Sequence, residues 1–593
     1  AFIILLQNPA MAVDPSFTLS FGAILSLALL TQPFFDLFKK FQGNDFIALV
    51  LMVAVLTWAF ASHWLLVVTL RFWFFYALLG VLLFWLARVL DRRGIRPIGS
   101  YGFANIHPGI AGFIAAQFGM QIGMMIPLSA YYFYRWPVAG AYANLIAIPL
   151  VGVVLQLSML AGLIGLIPGI GLYIALLLNA ANWIFSTLFL LIGHYFANWF
   201  AYPFVVKPTL RWLFVYYGAV ALFVWWRLLW FRLVRPRWNK ASRPARGLAL
   251  AAVALVVAAL FASGRAEEKA IRQAGQLSVS ILSVGYGSGI LIDAPDGTAI
   301  LVDTAFVQTD RGRRNDAERT IMPHICLKRI RHLDALILTS PEPEHIAGAA
   351  TILEHLDVDQ LLHPASLAPR LAEGELAEVL AARSPSRLKH RLSGTAIEPR
   401  ALVAGERLFE SEVNGKSFAV EVLGPAENDA KAPLSLRVVY GDFALLIPSD
   451  LTFAQQQDLL DNTPASRLKA QVAVAPGHGT PGLEGITIGM PKNYERSITD
   501  ITGGLLKKAG AEAVVFEFGN PRPVVGDKYK VAVKLHGAAR RIVEDLLTDT
   551  RVLATDTDGA VSIVSDGSTY TFAAQYDSEV GFVDAPTSLE VGW

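Results

Sequence analysis

Uncharged apolar runs close to the length of a membrane span, about 20 residues, recur up to about Leu248 and are absent after Arg265. At about 1.5 Å of rise per residue such a run crosses a hydrocarbon core of roughly 30 Å as a helix. No water is available there for exposed backbone, so each run must satisfy its own N–H and C=O groups. The chain therefore reads as a polytopic helical membrane part followed by a soluble part. Expected spans are Phe46–Leu66, Thr69–Leu90, Ile110–Tyr134, Val138–Ile167, Ile170–Phe200 and Leu210–Phe231. Phe17–Leu30, closed by Gln32-Pro33, is short for a full crossing and is expected to be a partial or re-entrant helix.

Charge divides the chain at the same place. Residues 1–248 hold 17 Lys+Arg against four acids, and the remainder holds 33 against 44, so the overall +2 conceals net charges of +13 and −11. No Asp or Glu occurs between Asp91 and Glu267. A conduit through that region would carry no acidic ring and would suit an anion, although the same bias arises from cytoplasmic positive loops alone. The basic clusters are Lys39-Lys40, Arg88 to Arg96, and Arg232 to Arg246 in a loop spanning residues 233–247. Counting spans places all three on one side, the cytoplasmic one. Residues 248–263 then form a last apolar helix. If it crosses, residues 264–593 lie outside the cell; if it lies in the interface, they stay inside.

Polar side chains within spans are the candidates for a pathway: Gln117 and Gln121, four residues apart on one face, and Asn144, Asn179 and Asn182. For any one of them taken singly, interhelical hydrogen bonding is the better explanation. The single cysteine, Cys326, excludes an internal disulfide and a Cys-rich zinc site. The chain opens at Ala1 inside an apolar run with no basic flank, which is not a signal peptide and is expected of a piece of a longer protein.

After Arg265 the periodicity becomes that of short strands and amphipathic helices, as in two sheets covered by helices. Strands are expected at Leu277–Val284, Gly289–Asp293, Ala299–Asp303, Leu333–Leu338, Phe418–Leu423, Leu434–Tyr440, Phe443–Pro448 and Gln471–Ala475, and helices at Arg319–Arg331 and Ala347–His355. The apolar run Leu333–Leu338 delivers Glu342, Glu344 and His345 into the polar turn T-S-P-E-P-E-H just past its end. Carboxylates and imidazole gathered there point to hydrolytic metal chemistry, because such groups hold a divalent ion that activates water. Basic runs at Arg311 to Arg314 and Lys328 to Arg331 are patches that could meet phosphate or simply face solvent.

Several motifs, taken in order, resemble those of one family. D-P-S-F-T-L-S-F-G-A-I-L-S-L at Asp14–Leu27, A-A-Q-F-G-M-Q-I-G-M-M-I-P-L-S at Ala115–Ser129 and A-N-L-I-A-I-P-L at Ala143–Leu150 are similar to the membrane core of the ComEC/Rec2 competence proteins. The soluble part adds S-V-G-Y-G-S-G-I-L-I-D ending in L-V-D-T-A, the loop Thr339–Gly348, Y-G-D-F-A-L-L-I-P-S-D at Tyr440–Asp450, V-A-P-G-H-G-T at Val474–Thr480, and T-D-T-D-G-A-V-S-I at Thr555–Ile563. These are similar, in the same order, to the metallo-β-lactamase-like domain of that family, the last of them to its closing hairpin. The resemblance implies a membrane domain followed by an α/β domain of αββα sandwich type. It also implies an inner-membrane channel for single-stranded DNA in natural transformation, with a DNA receptor, a cytoplasmic helicase or pilus-linked proteins as partners. Members usually carry further helices and an OB-like domain at their start, and neither is visible in this sequence.

By that resemblance a divalent metal, zinc or manganese, would sit among Glu342, Glu344, His345, Asp450 and His478, with Asp450 and His478 in catalytic roles. Asp303, Gly285 and Gly441 would shape the loops. The motifs are incomplete: Ser283 and Ser288 stand where the family has aspartates, Ser340 and Gly477 where it has histidines, and Glu342 and Glu344 where aspartate is usual. Two outcomes stay open. The domain is a metal-dependent hydrolase or nuclease with a reduced site, or it has lost metal and turnover and serves as a docking module for DNA or a partner.

Overall fold

The computed structural model describes residues 2–9, 14–62, 70–199, 202–229, 275–285, 287–308, 314–382, 397–425, 432–479, 493–517, 540–545 and 548–575, with a few isolated positions besides. The basic loop 233–247, the apolar segment 248–263, Arg311, Arg313 and Thr480 lie outside them, apart from isolated positions in the first two. The chain divides into two compact units, Ala1–Ala259 and Leu260–Trp593.

In the first unit the helices are α1 (Phe2–Gln7), α2 (Pro15–Phe38), α3 (Asn44–Ala61), α4 (Leu70–Arg92), α5 (Pro108–Met120), α6 (Ile126–Tyr132), α7 (Val138–Gly165), α8 (Ile170–Trp199) and α9 (Leu210–Leu229). Among the described residues six stretches are long and apolar enough to cross a membrane, one of them running from α5 through α6, while the span expected at Leu210–Phe231 is a shorter apolar helix over Leu210–Trp226. α2 corrects the expectation of a partial helix, since it continues through Pro33 for 24 residues. Asp14 caps it, accepting from the N–H groups of Ser16 and Phe17. Beyond Pro33 it is held by aromatic packing: Phe34 and Phe38 are buried and stack against Phe118, Phe103 and Phe223. Burial of such rings, about 1.5–3 kcal/mol each, offsets the hydrogen bond that proline removes.

Two of the three basic clusters meet at one end of this unit, as the span count requires. Gln42 bridges to Gly102, Arg88 pairs with Asp45 at 3.0 Å, and Asn44 Nδ2 donates to Asp91 Oδ1 at 3.0 Å. α7 and α8 pack on each other and leave a broad apolar exterior (Leu163, Leu166, Leu177, Leu190), as lipid-facing helices do.

The second unit is a sandwich of two sheets. Its strands are β1 (Leu277–Ile281), β2 (Ile290–Asp293), β3 (Ala299–Val302), β4 (Val307–Gln308), β5 (Arg314–Asn315), β6 (His332–Ile337), β7 (Asp357–His363), β8 (Pro399–Ala401), β9 (Arg407–Val413), β10 (Lys416–Gly424), β11 (Ser435–Tyr440), β12 (Phe443–Ile447), β13 (Val472–Val474), β14 (Ala513–Phe516), β15 (Arg551–Ala554), β16 (Val561–Ser565) and β17 (Tyr570–Ala574). One sheet runs β17-β16-β1-β2-β3-β6-β7-β8 and the other β15-β14-β13-β12-β11-β10-β9, with β4 and β5 as a separate ribbon. Alternate residues of both sheets, among them Val279, Ile292, Val302, Ile337, Val420, Val438, Leu445 and Val515, form one core between them. The opposite face of the second sheet (Leu446, Ala473, Val514, Phe516) packs on Leu459, Leu468, Leu505 and Leu506 of the covering helices. On the first sheet Leu291, Leu301, Leu336 and Leu361 are buried on the side away from that core, and Ile325, Ile352 and Leu353 of its helices are buried with them. Helices thus cover both outer faces, and the layers are αββα.

The helix expected at Arg319–Arg331 begins earlier, as a π-helical turn Ala317–Ile321, and ends at Leu327. The segment Thr555–Ile563 is not a hairpin. β15 closes the second sheet parallel to β14, whereas β16 pairs antiparallel with β1 in the first, so the segment crosses between sheets and the hairpin is β16–β17. Asp558 Oδ2 accepts from Ala554 N–H at 2.6 Å and fixes that turn.

His324, on the helix Met322–Leu327, has a buried Nε2 with no hydrogen-bond partner among the described residues. Burial, aided by the Lys328 charge, lowers its pKa to about 3 from an ordinary 6.5. The folded state therefore refuses a proton that the unfolded chain accepts below pH 6.5, so stability is complete above that value and falls as pH drops toward 3. Lowering pH from 7 to 5 should cost about 2 kcal/mol through this group. His324→Leu should flatten that interval in unfolding curves measured at both pH values, and an unchanged slope would refute the assignment.

Candidate functional site

The polar centre of the second unit forms where strands end. Asp303 follows β3, Thr339 to His345 follow β6, Ser449 and Asp450 follow β12, His478 follows β13, and Glu517 follows β14. Asp303 Oδ1 accepts from the Thr339 N–H at 2.7 Å, and its Oδ2 accepts from Thr339 Oγ1 at 2.6 Å and from His345 Nδ1 at 2.8 Å. His345 Nε2 meets Asp450 Oδ2 at 2.6 Å, and Asp450 Oδ1 lies 3.5 Å from His478 Nε2. His478 Nδ1 donates to the Glu517 carbonyl at 3.1 Å, and Ser288 Oγ donates to Glu517 Oε1 at 3.0 Å.

The side chains of Asp303 and His345 are only 2% and 1% exposed. Burial alone would lower the His345 pKa, but the carboxylates of Asp450 and Asp303 on either side hold it well above the usual value. Burial would raise Asp450, and the charges of His345 and His478 override this and hold it well below the carboxylate range. His345 thus stands between two carboxylates, Asp303 at Nδ1 and Asp450 at Nε2. Burial dominates at Glu517 and raises its pKa to about 7 against the opposing His478 charge and Ser288 hydrogen bond.

The backbone is shaped to this end. Asp303 (φ 60°), Ser449 (φ 57°) and His478 (φ 53°) all take left-handed conformations, each costing on the order of 1–3 kcal/mol for a non-glycine residue. Gly348 lets the loop after β6 close, since a Cβ there would stand 2.1 Å from the Thr304 carbonyl. Thr304 then ties the loop down, with both its N–H and its Oγ1 donating to the His345 carbonyl at 2.8 Å. Gly285 (φ 84°) and Gly441 (φ 56°) also turn left-handed, and a Cβ on Gly441 would lie 2.3 Å from Gly567 O.

Three of the five expected ligands come together: donor atoms of His345, Asp450 and His478 all lie within 4.8 Å of one another. Glu342 and Glu344 stand outside that group. Glu342 is extended (ψ 146°) ahead of the short helix Pro343–Ile346, and its N–H is turned to Ser340 Oγ at 3.3 Å. The trio fits one ion: two imidazoles and a carboxylate leave an open position, and Asp303 fixes the His345 ring by holding Nδ1. It does not supply donors for two. Sequence reasoning missed Thr339, Ser449 and Glu517. Ser449 Oγ is 2.6 Å from Thr339 Oγ1, and Glu517 restores beside Ser288 the carboxylate that this position lacks. The apolar run Ala513–Phe516 ending in an acid was the available signal for Glu517. Ser283, the other serine at an expected aspartate, donates to Thr555 O at 2.8 Å.

In the first unit the structure separates the polar residues. Gln117 is buried, and its Oε1, like Gln121 Nε2, has no hydrogen-bond partner among the described residues. Between α5 and α6 the helix widens into a π turn, Gln121–Met125, and Tyr216 and Tyr217 of α9 donate to the Ile122 and Gly123 carbonyls at 2.5 and 3.2 Å. Such turns recur at functional positions. Asn182 instead donates to Ser158 Oγ at 2.8 Å and joins α8 to α7, Asn179 is exposed, and Asn144 is half-buried on α7.

The chain carries a multi-pass helical unit and an αββα sandwich with a His/Asp centre at its strand ends, and residues 37–231, within the helical unit, match the family described as Competence protein. The match to a curated relative is to a competence protein as well. The chain is 26% identical over 216 residues to ComE operon protein 3 of Bacillus subtilis (strain 168), an alignment covering 35% of this chain and 26% of that protein. The chain thus matches about a quarter of the length of that relative. Among solved structures, Tm1679, a metal-dependent hydrolase of the beta-lactamase superfamily, aligns with 48% of this chain and 98% of its own at 12% identity and a TM-score of 0.27. The Rm3 metallo-beta-lactamase aligns with 45% and 93% at 14% identity and a TM-score of 0.22.

Proposed function

We propose that the chain conducts single-stranded DNA across the bacterial inner membrane during natural transformation. The competence-family match over residues 37–231 carries this reading, because it falls on the helices that hold buried Gln117 and half-buried Gln121. A flexible polyanion suits a route without acidic groups and with amides to meet bases and sugars. In this reading the basic loops face the cytoplasm, the segment 248–263 crosses the membrane, and the αββα unit receives incoming DNA on the outer side. A surface DNA receptor or pilus-linked proteins would deliver the strand, and a cytoplasmic helicase would draw it in. A strain lacking the gene should bind DNA at its surface and fail to take it up; normal transformation without the gene would end the proposal.

A second reading, a membrane-anchored hydrolase trimming that DNA, is favoured by the His345–Asp450–His478 group. These residues would hold one divalent ion, zinc or manganese, which when bound supplies a water of lowered pKa and a positive charge against a phosphodiester. Asp303 keeps the His345 proton on Nδ1, and Glu517, near neutrality, is the carboxylate able to hold or release a proton there. His478→Asn, chosen because asparagine tolerates the left-handed backbone, should remove one equivalent of bound zinc from the detergent-purified chain. An unchanged zinc content would exclude this centre, and leave the unit a non-catalytic docking module for DNA.

A further inference from the structure

We propose a second divalent-cation site, suited to zinc, formed by His332, Asp334 and Asp359 at the far end of the first sheet. His332 and Asp334 lie on β6 with the parity of Leu336, hence on the outer face of the sheet, and Asp359 lies on β7 with the parity of Leu361. The parallel register pairs His332 with Asp357, Leu333 with Val358 and Ala335 with Gln360, so Asp334 stands opposite Asp359. The His345 centre lies past the other end of β6, roughly 20 Å away at about 3.3 Å per residue. The two sites therefore share no residue.

Three observations point to a cation. His332 Nε2 lies 3.0 Å from Asp359 Oδ2 and 4.0 Å from Asp334 Oδ1, and the three donor atoms all fall within 4.8 Å of one another. In a tetrahedral zinc site with bonds of about 2.0 Å the donors stand about 3.3 Å apart, and the observed distances bracket that value. Asp334 is already oriented: its Oδ2 accepts the Ala299 N–H at 2.7 Å, which leaves Oδ1 turned toward the imidazole. Finally, like charges directly opposite on neighbouring strands are unfavourable, and a bound cation removes that repulsion. A plain ion pair of His332 with Asp359 is the competing account. With side chains 38% and 46% exposed it would contribute little, and it would not account for the second carboxylate oxygen, Asp334 Oδ1, turned to the same imidazole. One imidazole and two carboxylates, with the remaining position open to water, suit zinc better than the harder magnesium ion.

Such an ion would clamp β6 to β7 near the β8 edge of the sheet, a stabilising part independent of any chemistry at the first centre. The test is zinc stoichiometry of the full chain in detergent after chelation and reloading with zinc alone, for the wild type, His478→Asn, His332→Gln/Asp359→Asn and the combined variant. About two, one, one and no equivalents are expected, with unfolding temperature raised by zinc in His478→Asn and unaffected in the combined variant. His332 and Asp359 are partly exposed, so their substitution leaves the core packing intact, and circular dichroism of the variant checks its fold. Zinc content unchanged by His332→Gln/Asp359→Asn overturns the proposal. A wild type holding one ion that only His478→Asn removes overturns it too, while leaving the first centre standing. One ion lost only with His332 and Asp359 would reject the first centre and keep the second.

Discussion

Asp303→Asn should lower the stability of the soluble unit by about 3–5 kcal/mol, the loss typical of leaving a buried charge without its partner. The geometry gives the reason. Asp303 accepts from the Thr339 N–H with one oxygen and from His345 Nδ1 with the other, and neither donor can turn into an acceptor while the imidazole is charged. Asparagine has one acceptor oxygen, so its amide N–H groups must face one of those donors, and the His345 charge loses one of its two flanking carboxylates. Asparagine also tolerates the φ of 60° at this position, which separates the electrostatic loss from backbone strain. For a unit of this size the effect corresponds to a fall of roughly 10 °C in the calorimetric transition assigned to the soluble part. A transition within a degree of the wild type would show that the Asp303–His345–Asp450 chain is not holding the loops together.

Gly123→Val should cripple DNA uptake at unchanged protein level in the membrane. A Cβ on Gly123 would stand 2.3 Å from Ser26 Oγ and 2.7 Å from Leu30 Cδ1, both on α2 and both buried. Ser26 cannot yield freely, because its hydroxyl donates to Gly22 O at 2.6 Å. Overpacking of this kind costs about 1–3 kcal/mol, a shift of roughly 5- to 150-fold away from the packed arrangement of α2 against the π turn. Transformation frequency should fall by a factor in that range. Gly112→Val, on α5 with nothing within 4 Å of its added Cβ, should leave uptake near wild type. Equal effects of the two substitutions would mean that bulk on this helix, and not the π-turn contact, is what matters.

The sequence was most readable where a single physical rule sets the structure. Spans of apolar residues become helices in the absence of water, and apolar runs ending in Asp303 and Asp450 become buried strands that deliver acids at their ends. It was least readable where distant segments decide. Pro33 reads as a stop, and α2 passes through it because Phe34 and Phe38 have aromatic partners on α5, α9 and the 3₁₀ turn Phe103–Asn105. Thr555–Ile563 reads as a hairpin, and it crosses between sheets because β14 offers a parallel edge to β15 and β1 an antiparallel edge to β16.

The metal loop divides along the same line. By itself the sequence determined that T-S-P-E-P-E-H follows a buried strand, that His345, Asp450 and His478 are present, and that serines stand at Ser283, Ser288 and Ser340. Only the tertiary structure decided what those facts mean together. It leaves Glu342 and Glu344 outside the donor group, places Asp303 and Asp450 on opposite sides of His345, and brings Glu517 to Ser288. The physical reason is that side-chain identity is local, whereas the charge on a buried imidazole or carboxylate depends on which partners lie within a few ångströms, and those come from strands up to 229 positions apart in the chain.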